Sequence, residues 1–149
     1  MTATGPARVP IDCPCGSGEA FAACCAALHR GRGSGRVTAP TAERLMRSRY
    51  SAFAVADAAY LLATWHPATR PAAADLVLDP DVEWRRLEIT GTTDGGPDDD
   101  AGTVEFVARY WDATFRRRGE QRETSAFVRE DGQWFYVGPA AEPGPPIRT

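Results

Sequence analysis

An α+β fold is predicted here: an N-terminal zinc knuckle, then about three helices packed against one face of a curved antiparallel sheet. Three observations carry that prediction. All four cysteines fall between Cys13 and Cys25; apolar residues from Thr41 to Leu76 recur with a helical period; and from Val82 to Val137 the period shortens to the alternation of strands.

The cysteines come first. Cys13 and Cys15 precede, and Cys24 and Cys25 follow, an eight-residue excursion. Thiolates are soft ligands suited to a tetrahedral ion, so four of them in one short window predict a closed structural Zn2+ site. Gly16-Ser17-Gly18 supplies permissive backbone that can bring amides to charged sulfurs, and Glu19 to Ala23 return the chain to the metal as a short helix. A disulfide pair fits less well, because adjacent Cys24 and Cys25 would need different partners. His29 shares the face of Cys25 on a continuing helix, but four thiolates already close the tetrahedron, so it is expected behind the ligands or at the surface.

A chain of 149 residues is long enough to bury a core without help from a metal. Its first residues contain no apolar leader and no stretch approaches a membrane span, so a soluble, cytoplasmic protein is expected, in a compartment that keeps thiols reduced. The net charge is -3, yet the residues after the cysteines are basic. Arg30, Arg32 and Arg36 are predicted to screen the negative zinc-thiolate centre. Nucleic-acid binding by this run is the sharper alternative, and the acidic whole argues against it.

The knuckle is assigned to residues 11–30 and a link to 31–40, with Gly31 to Gly35 flexible. The main domain then occupies 41–138. Thr41 is the predicted N-cap of a helix to about Val55, whose apolar side carries Leu45, Met46, Tyr50 and Phe53. Steps of 100° put Arg49 in the middle of that side, Arg47 at its edge and Arg44 toward solvent. A permanently charged Arg49 on the inner face needs a carboxylate or a bound anion; an ion pair with a strand residue such as Glu105 is the favoured reading, a ligand clamp the other. Asp57 caps a second predicted helix, Ala58 to Trp65, and Pro67 stops it, leaving His66 beside the Trp65 indole. Pro71 and the alanines after it suggest a short third helix.

Strands follow. Val82 to Thr90 has an imperfect alternation suited to a bulge, Gly91 to Gly102 reads as an acidic solvated loop, and Thr103 to Trp111 offers something to bury on each face. Gly119 marks a turn before a hairpin, Gln121 to Arg129 and Gln133 to Val137, closed by Asp131-Gly132. A Pro-rich tail, 139–149, is expected to be loosely ordered.

Cys-Pro-Cys-Gly-Ser followed by Cys24-Cys25 resembles the SEC-C zinc motif. Leu-Met-Arg-Ser-Arg-Tyr-Ser-Ala-Phe, with Tyr60-Leu61, Thr64-Trp65-His66-Pro67 and Gly-Gln-Trp-Phe-Tyr, resembles the YchJ-like family across residues 11 to 138. The resemblance implies a cone-shaped domain like nuclear transport factor two, with a pocket enclosed by three helices and a bent sheet. Two functions then compete. A non-enzymatic protein would use the zinc module and the pocket to bind a ligand or a protein, with homodimerisation open to it. An enzyme would use His66 as acid or base, Arg49 as anion clamp and Tyr50 or Tyr110 as donor. The binding protein is preferred, because the zinc site has no open position for water. Candidate pocket residues are Arg49, Tyr50, Trp65, His66, Glu105 and Tyr110.

Overall fold

The computed structural model describes residues 11–32 and 38–140. Arg36 and the tail from 141 therefore lie outside the described residues. The chain opens with a knuckle closed by an antiparallel bridge between Asp12 and Ala20, with Cys13 N donating to Glu19 O at 2.9 Å. Gly16 and Gly18 take φ of 84° and 87°, which side chains disfavour. A single 3-10 turn, Phe21–Ala23, leads to helix α1, Cys25–Arg32.

Helix α1 continues through Gly31 and Arg32, residues that the sequence assigns to the link. Tertiary contacts explain the extra turn. Leu28 is buried in the main core, and Arg32 donates to Trp134 O at 3.1 Å while its guanidinium lies 4.7 Å from the Phe135 ring centroid. Arg32 is thus anchored to the far end of the sheet and does not screen the cysteines.

Helices α2 (Ala42–Ala54) and α3 (Ala58–Ala63) start where their caps predict: Thr41 accepts from Arg44 N and Asp57 from Tyr60 N, each at 3.1 Å. Helix α3 stops short of Trp65 because the chain turns to pair with the last strand. Thr64 O accepts from Tyr136 N, and Tyr136 O from His66 N, both at 2.8 Å. The expected third helix of the main domain is one 3-10 turn, Ala73–Asp75.

Strands β1 (Val82–Asp94), β2 (Ala101–Asp112), β3 (Arg117–Glu130) and β4 (Gln133–Pro139) form one antiparallel sheet in chain order. The bulge expected in β1 is present, and a second follows it: register shifts fall between Trp84 and Arg86 and between Ile89 and Gly91. The two ends of the acidic stretch are strand, since cross-strand pairing runs out to Asp94 opposite Gly102, and the loop shrinks to residues 95–100. Gly119 is likewise inside β3, opposite Tyr110, whose ring covers the space a Cβ would take. The turn before β3 lies earlier, where Asp112 accepts from Thr114 N and Phe115 N. Asp131 and Gly132 close the last hairpin with φ of 54° and 79°, the left-handed pair of a two-residue turn.

One face of the sheet meets the helices. Val104, Phe106, Phe127 and Trp134 pack with Leu45 and Tyr50 of α2. The opposite face carries exposed ion pairs, Arg109 with Glu88 at 3.0 Å and Arg122 with Glu120 at 3.0 Å. Such pairs add little stability in water. Among the described residues no helix is long and apolar enough to cross a membrane.

Candidate metal centre and cavity

All four cysteines are buried and unbridged, and their Sγ atoms lie within 4.8 Å of one another. They can hold one metal ion. Cys13 and Cys15 stand in the knuckle's first turn, Cys24 follows the 3-10 turn, and Cys25 opens α1. Ser17 Oγ lies 3.2 Å from Cys24 Sγ and Ser51 Oγ 3.5 Å from Cys13 Sγ, so hydroxyls sit where they can donate to sulfur charge. The hydrogen bond from Cys25 is the first of several influences that drive the Cys15 thiol down to about 4, against an opposing effect of burial. The same bond, together with burial, pushes Cys25 up. Sulfurs this close cannot all ionise without counter-charge nearby, which a bound divalent ion would supply.

A second counter-charge comes from a residue predicted to face solvent. Arg44 donates from Nη1 to Cys25 Sγ at 3.3 Å and from Nη2 to Cys24 Sγ at 3.2 Å. Its neighbour Arg47 donates to Cys15 O at 2.7 Å while its Nε holds Glu43 at 3.0 Å. The screening arginine is therefore Arg44, reached across space from α2. Arg30 is exposed. His29 is neither ligand nor surface residue: Nε2 lies 2.9 Å from Ser48 O, Asp57 is 3.8 Å from Nδ1, and the ring stacks on Tyr60 with centroids 4.4 Å apart. It braces α1 against α2 and α3.

The opposite side of α2 lines a cavity of about 170 Å³ between the helices and the sheet. Arg49 is 4% exposed. It takes part in none of the ion pairs among the described residues. Nη1 donates to Leu61 O at 2.8 Å and to Thr64 Oγ1 at 2.7 Å, and the guanidinium lies 4.4 Å from the Tyr136 ring centroid and 5.0 Å from that of Trp65. Burial pushes its pKa down to about 10, so the charge persists at neutral pH. The acid in this cavity is Glu123, which accepts from Tyr136 Oη at 2.8 Å and Ser125 Oγ at 2.6 Å.

Of the predicted pocket residues, Arg49 and Trp65 line this cavity. Tyr50 lines an adjoining apolar cavity of about 60 Å³, with its ring 6.0 Å from Trp84. The other three are elsewhere. Glu105 is exposed, because Val104 and Phe106 on either side of it face the helices and strand alternation turns it away. The predicted Arg49–Glu105 pair does not form. Tyr110 lies at the other end of β2 against Trp84 and lines a basic surface hollow of about 490 Å³ with Arg85, Arg86 and Arg118. His66 is outside the cavity: Nδ1 accepts from Ala68 N at 3.0 Å, and Nε2 donates to Glu130 at 2.9 Å. An acid–base pairing of His66 with Arg49 over one substrate has no geometric support. Tyr136, Glu123, Ser125 and Gln121 also line the cavity and are not among the predicted pocket residues. Tyr136 stands in the Gly-Gln-Trp-Phe-Tyr run, a signal that could have found it.

The SEC-C motif matches residues 12–27, and the family described as YchJ, middle NTF2-like domain, matches residues 41–139. Curated relatives include UPF0225 proteins of Streptomyces avermitilis, 51% identical over 86% of this chain and 83% of its own length, and of Chromobacterium violaceum, 52% identical over 84% and 89%. Among solved structures, a SEC-C motif-containing protein of Rhodopseudomonas palustris is 28% identical with a TM-score of 0.68, covering 87% of this chain and 98% of that one. A second, from Psychrobacter arcticus, shares the fold at 24% identity and a TM-score of 0.68, over 90% of this chain and 84% of its own.

Proposed function

We propose a function from one premise, that the chain belongs to the YchJ-like UPF0225 family of SEC-C proteins: it is a zinc-stabilised binding protein whose cavity takes a small molecule. The observation that carries this is the two-sidedness of α2. Arg44 and Arg47 on one side hold the cysteine cluster, while Met46, Arg49 and Phe53 on the other line the cavity.

Zinc suits the donor set. Four thiolates at Zn–S distances of ~2.3 Å stand about 3.8 Å apart in a tetrahedron, and Cys15 and Cys24 Sγ are 3.8 Å apart. The ion would bind Cys13, Cys15, Cys24 and Cys25, with no ligand position left for substrate, so its contribution is structural. A cytoplasmic setting keeps the thiols reduced. The small molecule would enter beside Arg49, a buried charge in none of the ion pairs among the described residues. No catalytic step is assigned, because the one predicted acid–base residue, His66, is occupied at the surface.

Two measurements on the protein, purified without added zinc, test the reading. Metal analysis should find about one zinc per chain, as a closed site holds its ion tightly. A single-ring fragment library, followed by NMR, should shift resonances of Arg49, Trp65 and Tyr136. Substoichiometric zinc, or a library that perturbs none of these residues, would refute it.

A further inference from the structure

The cavity beside Arg49 has an unusual charge balance. It contains one buried cation, Arg49, and one carboxylate, Glu123, and they do not form an ion pair. Both hydrogen bonds of Arg49 leave from Nη1, so none among the described residues uses Nη2 or Nε, and Arg49 lines the cavity. Both bonds to Glu123 end on Oε2, which keeps Oε1. Beside Arg49, the buried Trp65 Nε1 has no hydrogen-bond partner among the described residues. An unpaired donor of this kind costs free energy unless something accepts from it.

One end therefore offers donors and the other an acceptor, with a net charge of zero between them. An anion would satisfy the donors but place a second negative charge near Glu123. A cation would do the converse to Arg49. Satisfying both ends without adding charge takes a neutral ligand that carries both an acceptor and a donor.

The remaining wall specifies the rest of that ligand. Met46, Phe53, Phe106 and Gln121 line both this cavity and the adjoining one of about 60 Å³. The adjoining space is apolar, bounded also by Tyr50, Trp84 and Ala108. A polar head in the larger cavity would leave a short apolar group pointing into the smaller.

We infer that the cavity binds a small, net-neutral amide or lactam with an apolar or aromatic tail, its carbonyl toward Arg49 and Trp65 Nε1 and its N–H toward Glu123. This rests on the cavity-binding function proposed above and names the ligand class.

Three probes of one shape separate the possibilities: benzamide, which is neutral; benzoate, an anion with acceptors only; and benzamidine, a cation with donors only. Each is titrated into zinc-loaded full-length protein, with the Trp65 indole N–H followed by NMR. Benzamide should bind at least about tenfold more tightly than either ion, the ratio corresponding to roughly 1.4 kcal/mol. Glu123→Gln should move the preference toward benzoate and Arg49→Met toward benzamidine, since each variant unbalances the site in a known direction. Wild-type protein preferring benzoate or benzamidine, or Glu123→Gln leaving the order unchanged, overturns the amide assignment while cavity binding stands. Should neither these probes nor the fragment library shift Trp65, cavity binding fails too. An Arg49→Met variant that does not fold leaves the wild-type series and Glu123→Gln to decide.

Discussion

Arg44 and Cys25 stand in separate helices, yet the guanidinium Nη1 lies 3.3 Å from the sulfur. With Nη2 on Cys24 at 3.2 Å, one planar fork spans both cysteines that the metal cluster takes from the end of the knuckle. Hydrogen bonds to coordinating sulfur withdraw charge from it and fix its direction.

Arg44→Met should therefore weaken zinc retention by about 10- to 100-fold, the usual cost of removing a group that supports ligands from behind. Competition with a chromogenic chelator measures it. Arg44→Lys should recover only part, because a single ammonium cannot reach two sulfurs in the same geometry. Retention unchanged in Arg44→Met would show that the fork is incidental.

Zinc removal should reach beyond the knuckle. Leu28 belongs to the main core, Arg47 reaches Cys15 O, and Ser51 contacts Cys13. Hydrogen exchange after chelation should show protection lost across residues 11–32 and along α2 from Arg44 to Ser51, with β2 and β3 still protected. Protection retained throughout α2 would mean that the knuckle only rests on the domain.

Local chemistry made much of this legible in the sequence. Thr41 and Asp57 cap their own helices, Asp131-Gly132 closes its own hairpin, and the cysteines sit within one window. The cavity is a different kind of object, assembled from α2, the segment after α3, and strands β2, β3 and β4. Alternation turns Glu105 away from the helices, and the register that sets Glu123 opposite Phe106 brings it into the cavity with Arg49. Helix phase taken against the apolar side of α2 alone points Arg44 toward solvent. The cysteine knuckle covers that other side, and nothing local to residues 41–55 announces it.

Arg49→Met should cost less than a broken buried ion pair, about 3–5 kcal/mol, because no such pair exists here. The substitution removes two hydrogen bonds but also a buried charge, and Thr64 Oγ1 keeps a bond to Tyr60 O at 2.8 Å. A loss under about 2 kcal/mol is expected in denaturant melts. Double-mutant cycles locate its electrostatic partner: coupling to Glu105→Gln should fall below about 0.5 kcal/mol, and coupling to Glu123→Gln should exceed it. The reverse order would restore the ion pair that the sequence favoured.

His29 makes stability depend on pH with a definite sign. Burial lowers its pKa from the ordinary 6.5, and that effect outweighs the nearby Asp57 carboxylate, which raises it. With Nε2 beside Ser48 O, the neutral ring donates there and keeps Nδ1 unprotonated. In the unfolded chain the same imidazole takes up a proton at higher pH than in the folded one. Its contribution to stability is therefore complete above about 6.5 and is lost as pH falls through the lower folded value. His29→Gln keeps a donor for Ser48 O and cannot titrate. Acid also protonates the thiols and carboxylates, but it does so in both proteins. Denaturant melts between pH 8 and 5 should show wild-type stability falling more steeply than that of His29→Gln. Parallel slopes would mean that His29 does not titrate differently on folding, and a shallower wild-type slope would mean that Asp57, not burial, controls the ring.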